Sequence, residues 1–198
     1  MAAVALASTP LPRKLRVGLF ADTRLQPRWV LEAFDKVARS EFAEIVLVCA
    51  GEARSHDPLL WSLYGHLDRW AFGADSSDRV DLAKLKKPIR TEWGQDNYPG
   101  PSLDLDVAFV LGELDDAKLD GVARYGVWRF CFGADRTDNE AAAGWREVAE
   151  GVPVTGSGIK VRTAPGTPPR LAYQSWSRTY PFSVARNRDQ LISMLQDS

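Results

Sequence analysis

An arginine and a cysteine on one predicted strand are the first candidates for chemistry. Arg129 and Cys131 lie in the run Gly126–Phe132, and the two-residue period of a strand places both side chains on one face. Arg129 is a multidonor cation that can polarise a carbonyl, and its charge would favour Cys131 as a nucleophilic thiolate for covalent acyl transfer. The alternatives are structural: Arg129 forms a salt bridge to Asp106 or Asp135, and Cys131 is a small buried hydrophobe.

A second group of charged side chains follows the first predicted strand. Asp22, Arg24 and Arg28 come after Leu15–Phe20, at the carboxyl end of a strand, where open α/β proteins bind ligands. A helix that begins near Pro27 would place them beside its N-terminus, where they could meet an anionic ligand. The alternative is a charged loop that caps the helix.

The hydrophobic pattern indicates the sheet that must position these residues. Leu15–Phe20 and Glu44–Ala50 predict strands on either side of one helix, which is a βαβ unit. Two alternating runs separated by a proline-rich turn predict an antiparallel hairpin. The remaining predicted elements are strands at Leu105–Leu111, Gly126–Phe132, Gly156–Arg162, Leu171–Arg178 and around Ile89, and helices at His56–Phe72, Ala117–Arg124, Ala141–Glu150 (with Trp145 and Val148 inward) and Asn187–Leu195.

The fold class that follows is α/β. We expect an open, mostly parallel (Rossmann-like) sheet with helices on both faces and an antiparallel hairpin at one edge. Residues 1–13 are predicted to be a flexible tail and residues 14–198 a single domain, since no linker or repeat divides the chain.

Composition excludes several classes of protein. The 198 residues carry 25 basic and 26 acidic side chains, and this balance argues against a nucleic-acid-binding protein. No apolar run approaches the roughly 20 residues that cross a bilayer, so we expect no membrane contact and a cytoplasmic protein. Two cysteines and two histidines predict neither a disulfide framework nor a metal site. Phosphate-loop, Cys-x-x-Cys, His-Glu-x-x-His and Gly-x-Ser-x-Gly motifs are absent from the sequence.

The second half of the chain resembles a known family in the order of its motifs. Gly126-Val127 opens a strand, Trp145 lies on a helix and Thr155-Gly156 opens the next strand. This combination resembles the amino-terminal catalytic domain of the formyltransferases, which include the methionyl-tRNA, glycinamide-ribonucleotide and amino-sugar enzymes. The resemblance implies 10-formyltetrahydrofolate as cofactor and an amine as acceptor.

The chain departs from this family where the family does its chemistry. The family pattern has an Asn and a His on the strand and an Asp on a later loop, and the matching positions here are Arg129, Cys131 and Thr167. The resemblance therefore implies these three as the catalytic positions. It implies Asp22, Leu111 and Gly112 as cofactor-binding positions.

Two functions from different classes remain open. The first is a divergent formyltransferase in which Arg129 stabilises the developing oxyanion. The second is a catalytically inactive module that binds a small-molecule ligand or acts as a scaffold. A subgroup of the family also precedes a second domain, so a larger transferase or a partner chain is expected in that case. A covalent enzyme built on Cys131 is a third and weaker hypothesis.

Overall fold

The fold is described from a computed structural model of the chain. It describes residues 13–51, 78–85, 88, 90–93, 103–112, 114–133 and 144–196. The helix predicted at His56–Phe72 lies outside the described residues, as does Asp135.

The described residues form nine strands and three α-helices. The strands are β1 Leu15–Ala21, β2 Leu25–Pro27, β3 Ala43–Ala50, β4 Arg79–Asp81, β5 Arg90–Trp93, β6 Val107–Leu111, β7 Val127–Phe132, β8 Val154–Arg162 and β9 Arg170–Arg178. The helices are α1 Arg28–Arg39, α2 Trp145–Glu150 and α3 Val184–Gln196, with short 3-10 helices at Leu82–Lys84 and Asp116–Leu119.

Seven of these strands form one sheet in the order β5-β3-β1-β6-β7-β8-β9. Neighbouring strands from β5 to β7 are parallel, whereas β8 is antiparallel to β7 and β9 is antiparallel to β8. β3 and β6 are buried along nearly their whole length, which explains their continuous apolar sequences. The predicted fold class and the predicted hairpin are confirmed.

Alternation along the strands divides the core between two faces. On the first face, α1 and α3 contribute Trp29, Phe34 and Leu191 to a cluster that also holds Phe109 of β6. The second face carries Phe20, Val110 and Val127, covered by Leu119 from a 3-10 helix. Within β7, Phe130 packs on the first face and Val127 on the second, so Arg129 and Cys131 belong to the second face as predicted.

Several local predictions differ from the structure. The helix predicted at Ala117–Arg124 is a four-residue 3-10 helix, Asp116–Leu119. Residues 25–27, which lie between the first predicted strand and the predicted helix, pair as β2 with β4. The inward orientation predicted for Trp145 is wrong: its side chain is more than a third exposed, and Glu147 is the residue of α2 that is buried.

Candidate functional site

The carboxyl ends of the central parallel strands converge on one edge of the sheet. We call this the carboxyl edge and define it by Asp22, Gly51, Gly112 and Gly133, the residues that directly follow β1, β3, β6 and β7. Asp22 N donates to Leu111 O at 3.2 Å, and Gly51 N donates to Ala21 O at 3.0 Å. Ligands of open α/β sheets bind at such an edge, so it is the candidate site.

The three predicted cofactor-binding residues meet at this edge. Gly112 has a φ of +79°, and a Cβ at this position would overlap the Asp22 carboxylate. Gln26 Nε2 donates to Asp22 Oδ1 at 3.2 Å and to Thr23 O at 2.9 Å, which holds the Asp22 side chain in place. Leu111 is buried in the core, so only its backbone belongs to the edge. The space beside Gly112 is therefore filled by a carboxylate.

Arg129 reaches the carboxyl edge but directs its donors at the protein itself. The residue is only 8% exposed. Its Nη1 donates to Gly112 O at 2.7 Å, and its Nη2 donates to Leu114 O. Asp106, the salt-bridge partner considered above, instead accepts hydrogen bonds from Arg13 Nη2 and Arg16 N, both at 2.8 Å. The guanidinium thus stabilises the loop that follows β6 through hydrogen bonds to its backbone.

Cys131 lies one step further along the same face and is closed to solvent. Cys131 is 2% exposed, and it pairs with Gly158 of β8. A reactive thiol needs access to solvent or to a substrate, as well as an electropositive neighbour. The burial is that of a small hydrophobe, and the nucleophilic role stays a prediction.

Thr167 lies far along the chain from the other two catalytic candidates, in a turn at the opposite end of the parallel strands from the carboxyl edge. It is exposed in the turn 163–169, where its Oγ1 donates to Ala164 O at 2.6 Å. That turn follows Arg162, which pairs with Val127, the first residue of β7. The turn therefore begins at the amino ends of the parallel strands. The structure joins Arg129 to Gly112, and it does not bring Thr167 to that loop.

The two arginines proposed to meet an anion are engaged by aspartates. Arg28 Nη2 donates to Asp78 Oδ2 at 2.9 Å, and the Arg28 N–H at the start of α1 donates to Asp78 O at 2.8 Å. Arg24 forms an ion pair with Asp81 at 2.5 Å. The Arg24 hydrogen bond, followed by one from Ala83 N, lowers the pKa of Asp81 below its usual value. Asp81 of β4 and Asp78, the residue directly before that strand, thus supply the negative charge that an anionic ligand would have brought.

Glu147 is a residue of the carboxyl edge that the sequence did not reveal. It is 1% exposed, and its Oε1 would be 2.8 Å from a Cβ placed at Gly133. Apolar periodicity assigns the inward positions of α2 to Trp145 and Val148, so a buried carboxylate in this short helix carries no sequence signal. The available signal is Gly133 itself, whose φ of +74° lets the chain turn beside that carboxylate.

Two classes of site find no support in the described residues. The described part of the chain contains no group of three or more His, Cys, Asp or Glu side chains arranged to hold a metal ion. None of its helices is long and apolar enough to span a membrane.

Comparison with known proteins identifies the fold. No protein-family profile and no curated protein sequence matches the chain. Glycinamide ribonucleotide transformylase 1 from Geobacillus kaustophilus is 11% identical and has a TM-score of 0.61 over 93% of this chain and 94% of that one. Phosphoribosylglycinamide formyltransferases from Anaplasma phagocytophilum and Brucella melitensis are 14% and 13% identical, both with a TM-score of 0.56. Those matches cover 93% of this chain and 82% and 91% of the other two. The predicted formyltransferase-like fold is therefore confirmed.

Proposed function

We propose that this chain is a formyltransferase-like domain that binds a small molecule at its carboxyl edge without transferring a formyl group. The observation that carries the proposal is the pair of hydrogen bonds from Arg129 to Gly112 O and Leu114 O. Stabilising an oxyanion needs a donor directed at the space where the charge develops. Here Nη1 and Nη2 of Arg129 donate to backbone carbonyls.

The residues at the family's catalytic positions do not fit the formyl end of 10-formyltetrahydrofolate. Formyl transfer to an amine needs a group that accepts the amine proton, and a His with an Asp serves this purpose in the resembled family. Thr167 is a hydroxyl in an exposed turn at the other edge, and Cys131 is buried. Neither residue can therefore accept the amine proton at the carboxyl edge.

The charge at the carboxyl edge favours a ligand that brings hydrogen-bond donors. The Asp22 carboxylate faces Gly112, while Arg24 and Arg28 are paired with aspartates. A carboxylate accepts hydrogen bonds only, so it repels phosphate and attracts amino and N–H groups. The pterin ring of a folate carries such groups, and this supports a folate as the first ligand to test.

Calorimetric titration with tetrahydrofolate and with 10-formyltetrahydrofolate tests the proposal. We expect the two affinities to agree within about threefold, a difference of less than 1 kcal/mol, because the formyl group is not recognised. We also expect the Asp22→Asn variant to bind more weakly than a Glu150→Gln control, since Glu150 lies on α2 in an exposed ion pair with Arg146. Absence of binding by either folate would refute the ligand assignment. Consumption of the formyl group would refute the proposal that the domain transfers no formyl group.

A further inference from the structure

The large sheet ends at β9, whose outer edge no other strand pairs in the described part of the chain. β9 is nine residues long, and it pairs through its inner edge with β8 along almost its full length. Every second residue of such a strand directs its N–H and C=O away from the sheet. A long outer edge of this kind is a template for an added strand.

Aromatic side chains flank this outer edge on both faces of the sheet. Trp176 is 54% exposed, and its ring lies on Gly156 of β8, where an added Cβ would be 2.9 Å from Trp176 Cζ3. Tyr173 pairs with Ile159 and is exposed on the opposite face. A strand added beside β9 would have an aromatic neighbour for side chains on either face, which is a stabilising cross-strand arrangement.

The charges on β9 have one sign. Arg170 and Arg178 stand at its two ends, and no Asp or Glu lies between them. Both arginines are exposed and have no ion pair among the described residues. An added segment with carboxylates near its ends would therefore pair with charges that have no ion-pair partner in the described part of the chain.

A second copy of the chain is a poorer occupant than an acidic segment. Two β9 strands that pair antiparallel about Gln174 place Arg170 opposite Arg178 at both ends, and like charges directly opposite each other are destabilising. A nucleic acid is also disfavoured, because two arginines in a chain of net charge −1 offer little phosphate binding and the strand edge recognises main-chain groups.

We propose that the outer edge of β9 docks an extended acidic segment of a partner protein, which joins the sheet as an additional strand. The main-chain groups of β9 provide the register, Trp176 and Tyr173 provide side-chain contacts, and Arg170 and Arg178 select negative charge. This surface is separate from the carboxyl edge, so it holds whether or not the chain binds a folate.

Three synthetic peptides of the same length as β9 test the docking edge. The first alternates Val and Thr with Asp at both ends, the second replaces the two Asp by Lys, and the third carries Pro at its centre. Binding is followed by fluorescence anisotropy of the labelled peptide, and hydrogen exchange of the β9 amides reports the site. We expect the Lys peptide to bind about tenfold more weakly than the Asp peptide, because two charge pairs become like-charge contacts. The Pro peptide should not bind, since it cannot complete the strand hydrogen bonds.

Charge reversal on β9 distinguishes docking from non-specific attraction. The double variant Arg170→Glu and Arg178→Glu should prefer the Lys peptide over the Asp peptide. The double variant Lys84→Glu and Lys118→Glu makes the same change in net charge at exposed lysines outside β9, and it should keep the original preference.

Four results would overturn the proposal. They are equal binding of the Asp and Lys peptides, no binding of any peptide, tighter binding of a short oligothymidylate, and self-association of the chain that Trp176→Ala abolishes. Unfolding curves of each variant exclude loss of the fold as the cause of lost binding.

Discussion

Replacing Arg129 by methionine should destabilise the protein, because the side chain supports the loop after β6. The substitution keeps much of the aliphatic stem and removes both hydrogen bonds, from Nη1 to Gly112 O and from Nη2 to Leu114 O. Hydrogen bonds from a charged donor contribute about 1.5–3 kcal/mol each, and relief of the buried charge offsets part of their loss. We expect the free energy of unfolding to fall by about 3 kcal/mol, which lowers Tm by about 6–12 °C in a chain of this size.

Urea and thermal unfolding of Arg129→Met measure this loss beside a matched control. Arg146→Met also removes an arginine, but Arg146 is half exposed and pairs with Glu150 one helical turn away. Exposed pairs of this kind contribute less than about 1 kcal/mol, so the control should stay close to the wild type. A loss in Arg129→Met no greater than in the control, together with weaker folate binding, would show that the guanidinium serves a ligand and would refute the reasoning.

Three further experiments test the site and its surroundings. Gly112→Ala should lower the free energy of unfolding by about 2–4 kcal/mol, and Gly151→Ala should lower it by about 1 kcal/mol. Both glycines have positive φ, but of the two only Gly112 faces a side chain, that of Asp22. Equal losses for the two variants in urea unfolding would contradict this expectation. In the folded protein, Cys131 should react with a thiol reagent far more slowly than a small model thiol does, and in urea it should react at the same rate as that thiol. Rapid labelling of the folded wild type that is lost in Cys131→Ser would support the covalent hypothesis. The lowered pKa of Asp81 stabilises the fold above its unfolded pKa of about 3.9, and this contribution disappears as pH falls through the folded pKa. The difference in unfolding free energy between the wild type and Asp81→Asn should therefore shrink in acid, whereas a constant difference would contradict the assignment.

Much of the fold can be predicted from the sequence because the sheet is buried on both faces. Continuous apolar runs mark β1, β3 and β6, and period-two alternation places Arg129 and Cys131 on one face of β7. These patterns are local, so they can be recognised without knowledge of how the strands are arranged in the sheet. The spatial order of the strands, β5-β3-β1-β6-β7-β8-β9, does not follow from these local patterns.

The candidate site is less predictable because its contacts join distant segments. The resemblance, aligned on Thr155-Gly156, implies Thr167 as a catalytic position, but the antiparallel register of β8 with β7 places the turn at the amino ends of the parallel strands. Burial of Glu147 depends on how α2 meets Gly133, and pairing of Arg28 with Asp78 depends on β4. Neither the contact of Glu147 with Gly133 nor the pairing of Arg28 with Asp78 follows from the hydrophobic pattern, because each joins a charged side chain to a residue that is distant in sequence.

A single-turnover measurement with 10-formyltetrahydrofolate tests the central claim most directly. The protein is mixed with an equimolar amount of the compound and excess glycinamide ribonucleotide, the acceptor named by its structural neighbours, and the formyl group is followed over time. We predict that it disappears no faster than in buffer, with or without the acceptor. Formyl loss that depends on the folded wild type would contradict the account.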